Sequence, residues 1–246
     1  MEQYGLLGYP LGHSFSRNYF MKKFQEENID AEYVNFELED INDIKGIIEK
    51  SGNLKGFNVT LPYKTDVIRF LTEEPLEIKE IGAVNCVKVI HNGNRTELIG
   101  YNTDALGFDK SLSSFLQTSV DKALILGSGG ASKAVRYVLG KKGIDFRIVS
   151  RNPKNGNDIS YKDVADYIDS CRLIVNATPL GMWPNCENAP DIPYDRLTPE
   201  HYLFDLTYNP ETTEFMKRGN RRGAHTKNGY EMLVGQAEAA WAIWNS

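Results

Sequence analysis

The stretch Ala123-Leu124-Ile125-Leu126-Gly127-Ser128-Gly129-Gly130-Ala131-Ser132-Lys133-Ala134-Val135 decides the fold. Four apolar residues run straight into a glycine-rich turn, and Ala134, Val135, Val138 and Leu139 then recur at helical spacing. The pattern reads as buried strand, tight turn and helix. Gly127 permits the turn, and Gly129 leaves room for a phosphate to reach the backbone. Ser132, where a third Gly or Ala is usual, is small enough for close packing of helix on strand. The N–H groups at the helix start, with Gly130 and Ala131 in its first turn, face an anion with the helix dipole behind them. Two readings fit this segment alone: a dinucleotide-binding turn, or an ordinary strand-to-helix turn of an α/β protein.

Further along, strand Phe146-Arg147-Ile148-Val149 leads to Ser150-Arg151-Asn152 and then Lys154. An acid at the end of this second strand would bind the ribose hydroxyl of NAD. Arg151 and Lys154 instead suit a 2′-phosphate, no Asp or Glu stands beside them, and Asp158 lies too far along. The expected cofactor is therefore NADP. A helix over Val164–Ile168, strands Leu173–Asn176 and Tyr202–Leu206, and loops at Ala177–Met182 and Thr207–Pro210 complete the alternation. Apolar strands alternating with helices predict a parallel, doubly wound sheet.

Toward the N-terminus, Met1–Leu7 reads as a strand that breaks at Gly8-Tyr9-Pro10-Leu11-Gly12. His13-Ser14-Phe15-Ser16 then enters a helix, so Ser14 or Ser16 suits either an N-cap or a ligand. Strand 31–38 and a helix carrying Ile41, Ile44, Ile47 and Ile48 follow. In Lys55-Gly56-Phe57-Asn58-Val59-Thr60-Leu61-Pro62-Tyr63-Lys64, strand alternation puts Asn58 and Thr60 on one face, with Lys64 just past the end. That is the build of a polar site, although a solvated edge strand has the same pattern. A helix through Val67, Ile68 and Leu71 comes next. Asn85 then lies within the apolar run 81–90, where a buried amide either ties down a loop or holds a ligand. A hairpin at His91-Asn92-Gly93-Asn94 returns to Gly100-Tyr101-Asn102-Thr103-Asp104, where Asp104 opens a helix. In the last helix, Leu233, Ala237, Ala240, Trp241 and Trp244 form a packing stripe, with Gln236 on its flank.

The 246 residues, 41% hydrophobic, suffice for one large domain or two small ones. A net charge of −5 without a basic block argues against nucleic acid or an anionic membrane as partner. No apolar run reaches the length of a membrane span, and Met1-Glu2-Gln3-Tyr4-Gly5 lacks the start of a signal peptide. Cys86, Cys171 and Cys186 have neither metal-ligand nor disulfide spacing. The expectation is a cytoplasmic protein with a small-molecule substrate and no metal, either monomer or homodimer.

Taken together and in order, the motifs resemble those of the shikimate dehydrogenase family. They are Gly8-Tyr9-Pro10, His13-Ser14-Phe15-Ser16, Asn58-Val59-Thr60-Leu61-Pro62-Tyr63-Lys64, Gly82-Ala83-Val84-Asn85, Gly100-Tyr101-Asn102-Thr103-Asp104 and Gly127-Ser128-Gly129-Gly130-Ala131. Asn176–Met182, Asp205 with Tyr208-Asn209-Pro210, and Asn228-Gly229 with Met232-Leu233 and Gln236-Ala237 extend the match over nearly the whole chain. The resemblance implies two α/β domains with a cleft between them. A substrate domain with a mostly parallel sheet would comprise 1–103 plus 229–246, and a Rossmann-type NADP domain 104–228.

It also implies reversible NADPH-dependent reduction of 3-dehydroshikimate to shikimate. Ser14 and Ser16 would hold the substrate carboxylate. Asn58, Thr60, Lys64, Asn85, Asp104, Tyr208 and Gln236 would surround the ring, with Lys64 and Asp104 as the acid/base pair. Gly127, Ser128, Gly129, Gly130, Ala131, Ser150, Arg151, Asn152, Thr178 and Gly229 would contact the cofactor. Two departures stand out: Arg17 replaces the usual Pro, with Asn18-Tyr19 where the family has a His-Asn pair shortly beyond, and Ser150-Arg151-Asn152 differs from the usual Asn-Arg-Thr. The alternatives are a quinate/shikimate dehydrogenase using NAD or both cofactors, a non-catalytic metabolite sensor, and a reductase of another small ketone.

Overall fold

The computed structural model describes residues 1–246 apart from His13, Ser14, Asn94, Asn155 and Asn157. The chain divides into two compact units: 1–103 with 237–246, and 104–236.

The first unit is built on a five-stranded sheet in the order β2-β1-β3-β4-β5. Its strands are β1 (Glu2–Gly8), β2 (Ala31–Glu37), β3 (Leu54–Val59), β4 (Cys86–Asn92) and β5 (Arg95–Tyr101). β1 pairs in parallel with β2 and β3, while β4 is antiparallel to both β3 and β5. Four of the five strands therefore share one direction. Helices α1 (Phe15–Glu26), α2 (Ile44–Lys50) and α3 (Leu76–Ile81) connect them. One apolar cluster joins Leu7, Ile44, Leu54, Phe57 and Val87. Another joins Tyr4, Phe20, Phe24, Tyr33 and Trp244.

Two local expectations are corrected here. The segment through Val67 and Ile68 is a 3₁₀ helix, Asp66–Phe70, not an α-helix. Within the apolar run 81–90, α3 ends at Ile81, Gly82 turns with φ 69°, and β4 begins at Cys86. Asn85 thus lies just outside the sheet ladder, its side chain free to bond elsewhere than its backbone does. The α2 segment begins with a short 3₁₀ turn at Ile41–Asp43, capped by Asp40.

The second unit carries a six-stranded sheet, β11-β10-β9-β6-β7-β8, with every pair parallel. Its strands are β6 (Lys122–Leu126), β7 (Asp145–Val149), β8 (Asp158–Ile159), β9 (Leu173–Asn176), β10 (Tyr202–Asp205) and β11 (His225–Lys227). Counted within the unit, this is the strand order 3-2-1-4-5-6 of a Rossmann sheet, which reverses direction of winding between β6 and β9. Residues 123–126 are completely buried, as expected of a parallel strand covered on both faces. Helices α4 (Thr103–Phe115), α5 (Gly130–Lys141), α6 (Glu214–Asn220) and α7 (Tyr230–Trp244) complete the chain.

The expected helix over Val164–Ile168 is instead a 3₁₀ stretch, Tyr161–Asp166, with Val164 and Ile168 still buried in the core. Among the described residues, the connection from β7 to β8 carries no helix at all. The unit boundary also differs from the expected residue 229 and falls at Ala237, inside α7. The reason is local packing. Glu231 in the first turn of α7 accepts from Ser114 Oγ (3.1 Å), which ties that turn to α4, whereas Ala237, Ala240 and Trp244 enter the aromatic cluster of the first unit.

Candidate active site

In the second unit the carboxyl ends of β6, β7 and β9 open into a cavity of about 790 Å³. Gly127 has φ +102°, which the sharp exit from β6 requires and which a side chain disfavours. Gly129 is the N-cap of α5 and, being a glycine, offers no side chain to cap the first orphan N–H groups there. Ser132 is fully buried and donates back to the Gly129 carbonyl (2.6 Å), which tightens the entry of the helix. Gly127, Ser128, Gly129, Ser150, Arg151, Asn152 and Thr178 all line this cavity, as does Lys154. Arg151 and Lys154 are exposed. Asp158 does not line the cavity, and its carboxylate accepts the backbone N–H of Lys154 (3.0 Å).

Behind the cavity, buried polar groups lock the strand ends. Asn176 Oδ1 accepts from Thr178 N (3.1 Å) and Thr178 Oγ1 (2.6 Å). Its Nδ2 donates to Asp205 (3.1 Å), which also accepts from Thr207 N (3.0 Å) and Thr213 Oγ1 (2.6 Å). Burial still pushes the Asp205 carboxyl above its ordinary value, against the lowering effect of those donors.

Gly130 and Ala131, placed by the sequence in the cofactor set, are the first residues of α5 and do not line the cavity. Gly229 does not line it either. A Cβ there would lie 2.2 Å from the Leu206 carbonyl oxygen, so close approach of two backbones explains this glycine. Tyr208 is half-buried, and burial raises its phenol. Gln236 is buried and donates to Leu233 O (3.0 Å).

In the first unit a second set of polar side chains converges. Asn58 on β3 and Asn85 before β4 are both 3% exposed. Asn85 Oδ1 accepts from Thr103 N (2.6 Å), and Asn85 Nδ2 donates to Thr103 Oγ1 (3.0 Å). The Asn85 carbonyl takes Val59 N (2.8 Å) and Asn58 Nδ2 (3.2 Å). Thr60 and Lys64 sit in the turn after β3; Thr60 N donates to Leu7 O (2.8 Å), and Lys64 O accepts from Val84 N (2.7 Å). Both side chains are part-exposed. Thr103, held by Asn85, starts α4, and Asp104 follows in its first turn, where the helix dipole favours a carboxylate. Ser16 lies in the first turn of α1, and Ser14 lies outside the described residues.

A family model described as the shikimate dehydrogenase substrate-binding domain matches residues 6–87. A shikimate dehydrogenase (NADP(+)) of Methanococcus maripaludis is 36% identical over 257 residues, covering 98% of this chain and 90% of its own. The chain belongs to the shikimate dehydrogenase family. A shikimate dehydrogenase solved in complex with NADP+ is 31% identical with a TM-score of 0.84, covering 99% of this chain and 89% of that one. The Thermus thermophilus shikimate 5-dehydrogenase solved with NADP(H) and shikimate is 27% identical with a TM-score of 0.86, over 99% and 93%.

For a shikimate dehydrogenase family member, this cavity contains residues that its sequence did not announce. Tyr161 and Asp191 both line it. Burial raises the Tyr161 phenol; Arg151 opposes that shift and Asp191 adds to it, so both charges lie within electrostatic reach of the ring. Neither position carries a local signal: Tyr161 opens the 3₁₀ stretch after β8, and Asp191 lies on an irregular segment. Among the described residues no cluster of His, Cys, Asp or Glu suits a metal ion, and no helix is long and apolar enough to cross a membrane.

Proposed function

We propose that this chain catalyses the reversible reduction of 3-dehydroshikimate to shikimate with NADPH. The observation that carries the cofactor reading is the second unit's cavity. It joins the glycine turn and the α5 N-terminus to the Arg151 guanidinium, with no acid at the end of β7. Such a site fits a dinucleotide: N–H groups and dipole for the pyrophosphate, and a planar cation for a 2′-phosphate. Family membership and the polar set around Asn58, Asn85 and Lys64 support the substrate. NADPH, when bound, supplies the hydride that reduces the ketone carbon.

Everything else falls to the chain's own residues. In this reading Ser14 and Ser16 hold the substrate carboxylate, while Asn58, Thr60, Asn85, Tyr208 and Gln236 orient the ring. As negative charge develops on the ketone oxygen, the Lys64 ammonium donates a proton to it; in the oxidative direction the Lys64 amine takes that proton back. Asp104 is the second member of the acid/base pair in this reading. Hydride and proton together convert C=O to CH–OH.

A second reading, use of both NADPH and NADH, rests on Asp191, an acid in the same cavity as Arg151. The test follows nicotinamide absorbance with 3-dehydroshikimate and each cofactor in parallel. Turnover with NADPH and little with NADH supports the proposal. Comparable turnover with both selects the second reading. No turnover by folded protein with either cofactor refutes both and leaves a binding role for the cavity.

A further inference from the structure

Tyr33 on β2 is absent from the substrate set, yet it touches two of its members, Asn58 and Ser16. Its ring is buried and stacks on Phe20, with centroids 4.8 Å apart and planes 12° apart. Its hydroxyl donates to Asn58 Oδ1 (2.8 Å), and the Ser16 hydroxyl bonds the same phenol. Burial raises the phenol well above its ordinary value, so it stays protonated and able to donate.

The direction of these bonds follows from counting donors and acceptors. A phenol has a single proton. With that proton on Asn58, Ser16 is the donor to the phenol oxygen, and Asn58 Nδ2 in turn donates to the Asn85 carbonyl (3.2 Å). The chain therefore runs one way: Ser16 to Tyr33 to Asn58 to the Asn85 carbonyl. Turning the Asn58 amide over would set its oxygen against the Asn85 carbonyl oxygen, which has no proton to offer. It would also place an N–H against a phenol oxygen that already accepts from Ser16. One amide orientation is thus held from both ends. Among the described residues the amide keeps one N–H and one lone pair unused, a donor and an acceptor matched to a hydroxyl group, which both gives and takes a hydrogen bond.

We propose that Tyr33 is a positioning residue: it fixes the orientation of the Asn58 amide so that this edge selects a hydroxylated ring. The inference rests on the substrate roles given to Asn58 and Ser16 above. Tyr33 itself reaches the substrate only through them. A polar group held in place by packed neighbours discriminates more sharply than one that must first reorient.

The test is a double-variant cycle on shikimate oxidation, with Tyr33→Phe, Asn58→Ala and the pair. Tyr33→Phe keeps the ring and its stacking and deletes only the hydroxyl. The expected result is a rise of about tenfold in KM for shikimate. kcat should stay within about threefold, with no change in KM for NADP+. On the Asn58→Ala background, Tyr33→Phe should add less than about twofold, because the amide it orients is gone. Ser16→Ala, half-exposed and less able to upset folding, gives a second cycle, and it too should be non-additive with Tyr33→Phe. A KM within twofold of wild type in Tyr33→Phe overturns the proposal, as does a full tenfold effect on the Asn58→Ala background. If wild-type protein oxidises no shikimate, the functional reading falls and the proposal falls with it. If wild type is active and the cycles are additive, only the role of Tyr33 falls.

Discussion

The two units handle polar chemistry in opposite ways. In the first, the candidate amides Asn58 and Asn85 are themselves buried and bonded into one network with Thr103, all three with almost no solvent contact, while Thr60 and Lys64 stay part-exposed. In the second, the groups that face the cavity, Arg151, Asn152 and Lys154, are exposed, and the buried bonded groups Asn176, Asp205 and Thr213 stand behind them. The difference follows from what each site would recognise. The hydroxyls of a polyol ring offer only directional hydrogen bonds, so the amides that would meet them must be oriented in advance. A phosphate offers full charge, which tolerates looser geometry and is met by backbone N–H groups and a flexible cation.

The sharpest way to break this comparison is Lys64→Ala, which should lower kcat by about 10²–10⁴-fold with a smaller change in KM. Asp104→Asn should fall in the same range. Steady-state kinetics check both, and unchanged turnover would remove either residue from the acid/base pair. Next comes Asn85→Ala. It strips partners from the buried Thr103 N–H and hydroxyl, and should cost about 2–4 kcal/mol of stability, read from urea unfolding. A loss under about 1 kcal/mol would show that water replaces the amide and that the network is not a rigid one.

Arg151→Ala should raise KM for NADPH about tenfold or more while leaving the urea midpoint in place. If the midpoint falls instead, the exposed cation is structural and the contrast between the units fails. Lys154→Ala should have less than about 1 kcal/mol of effect on either.

The buried carboxyl behind the cavity adds a pH signature. Because burial raises Asp205, the folded chain holds that proton to higher pH than the unfolded chain does. Its favourable contribution is complete below the ordinary carboxylate range, and is lost as pH rises through the raised native value. Asp205→Asn cannot titrate, so its urea midpoint should fall less than that of wild type across this window. Equal slopes would mean that the three donors fully offset burial. The smallest expected effect is at Asp191: Asp191→Asn removes an exposed like-charge neighbour of the phosphate and should lower KM for NADPH by about two- to threefold.

Much of this was legible in the chain as written. The run 123–126 into Gly127-Ser128-Gly129 announces the strand and turn, because a covered parallel strand must be apolar throughout and its exit must be free of side chains. Arg151 is legible too, being two residues past the end of the neighbouring strand β7. The alternation that places Asn58 opposite Phe57 is likewise local. The 3₁₀ stretches at 66–70 and 161–166 were not legible, because their apolar spacing is the same as that of an α-helix. Gly229 is ambiguous in sequence, because a glycine required for close packing on Leu206 and one required for a cofactor contact look the same there.

The sequence by itself therefore determined the class of fold, the family and the identity of the chemical groups, since periodicity, turn residues and spacing act over a few residues. Tertiary structure alone decided which of those groups meet. It brought Tyr33 between Ser16 and Asn58, carried Tyr161 and Asp191 to the cavity of Arg151, and divided α7 between two cores. Hydrogen bonds and electrostatic contacts of that kind depend on distance in space, and residues far apart in the chain acquire it only when the sheets and helices pack.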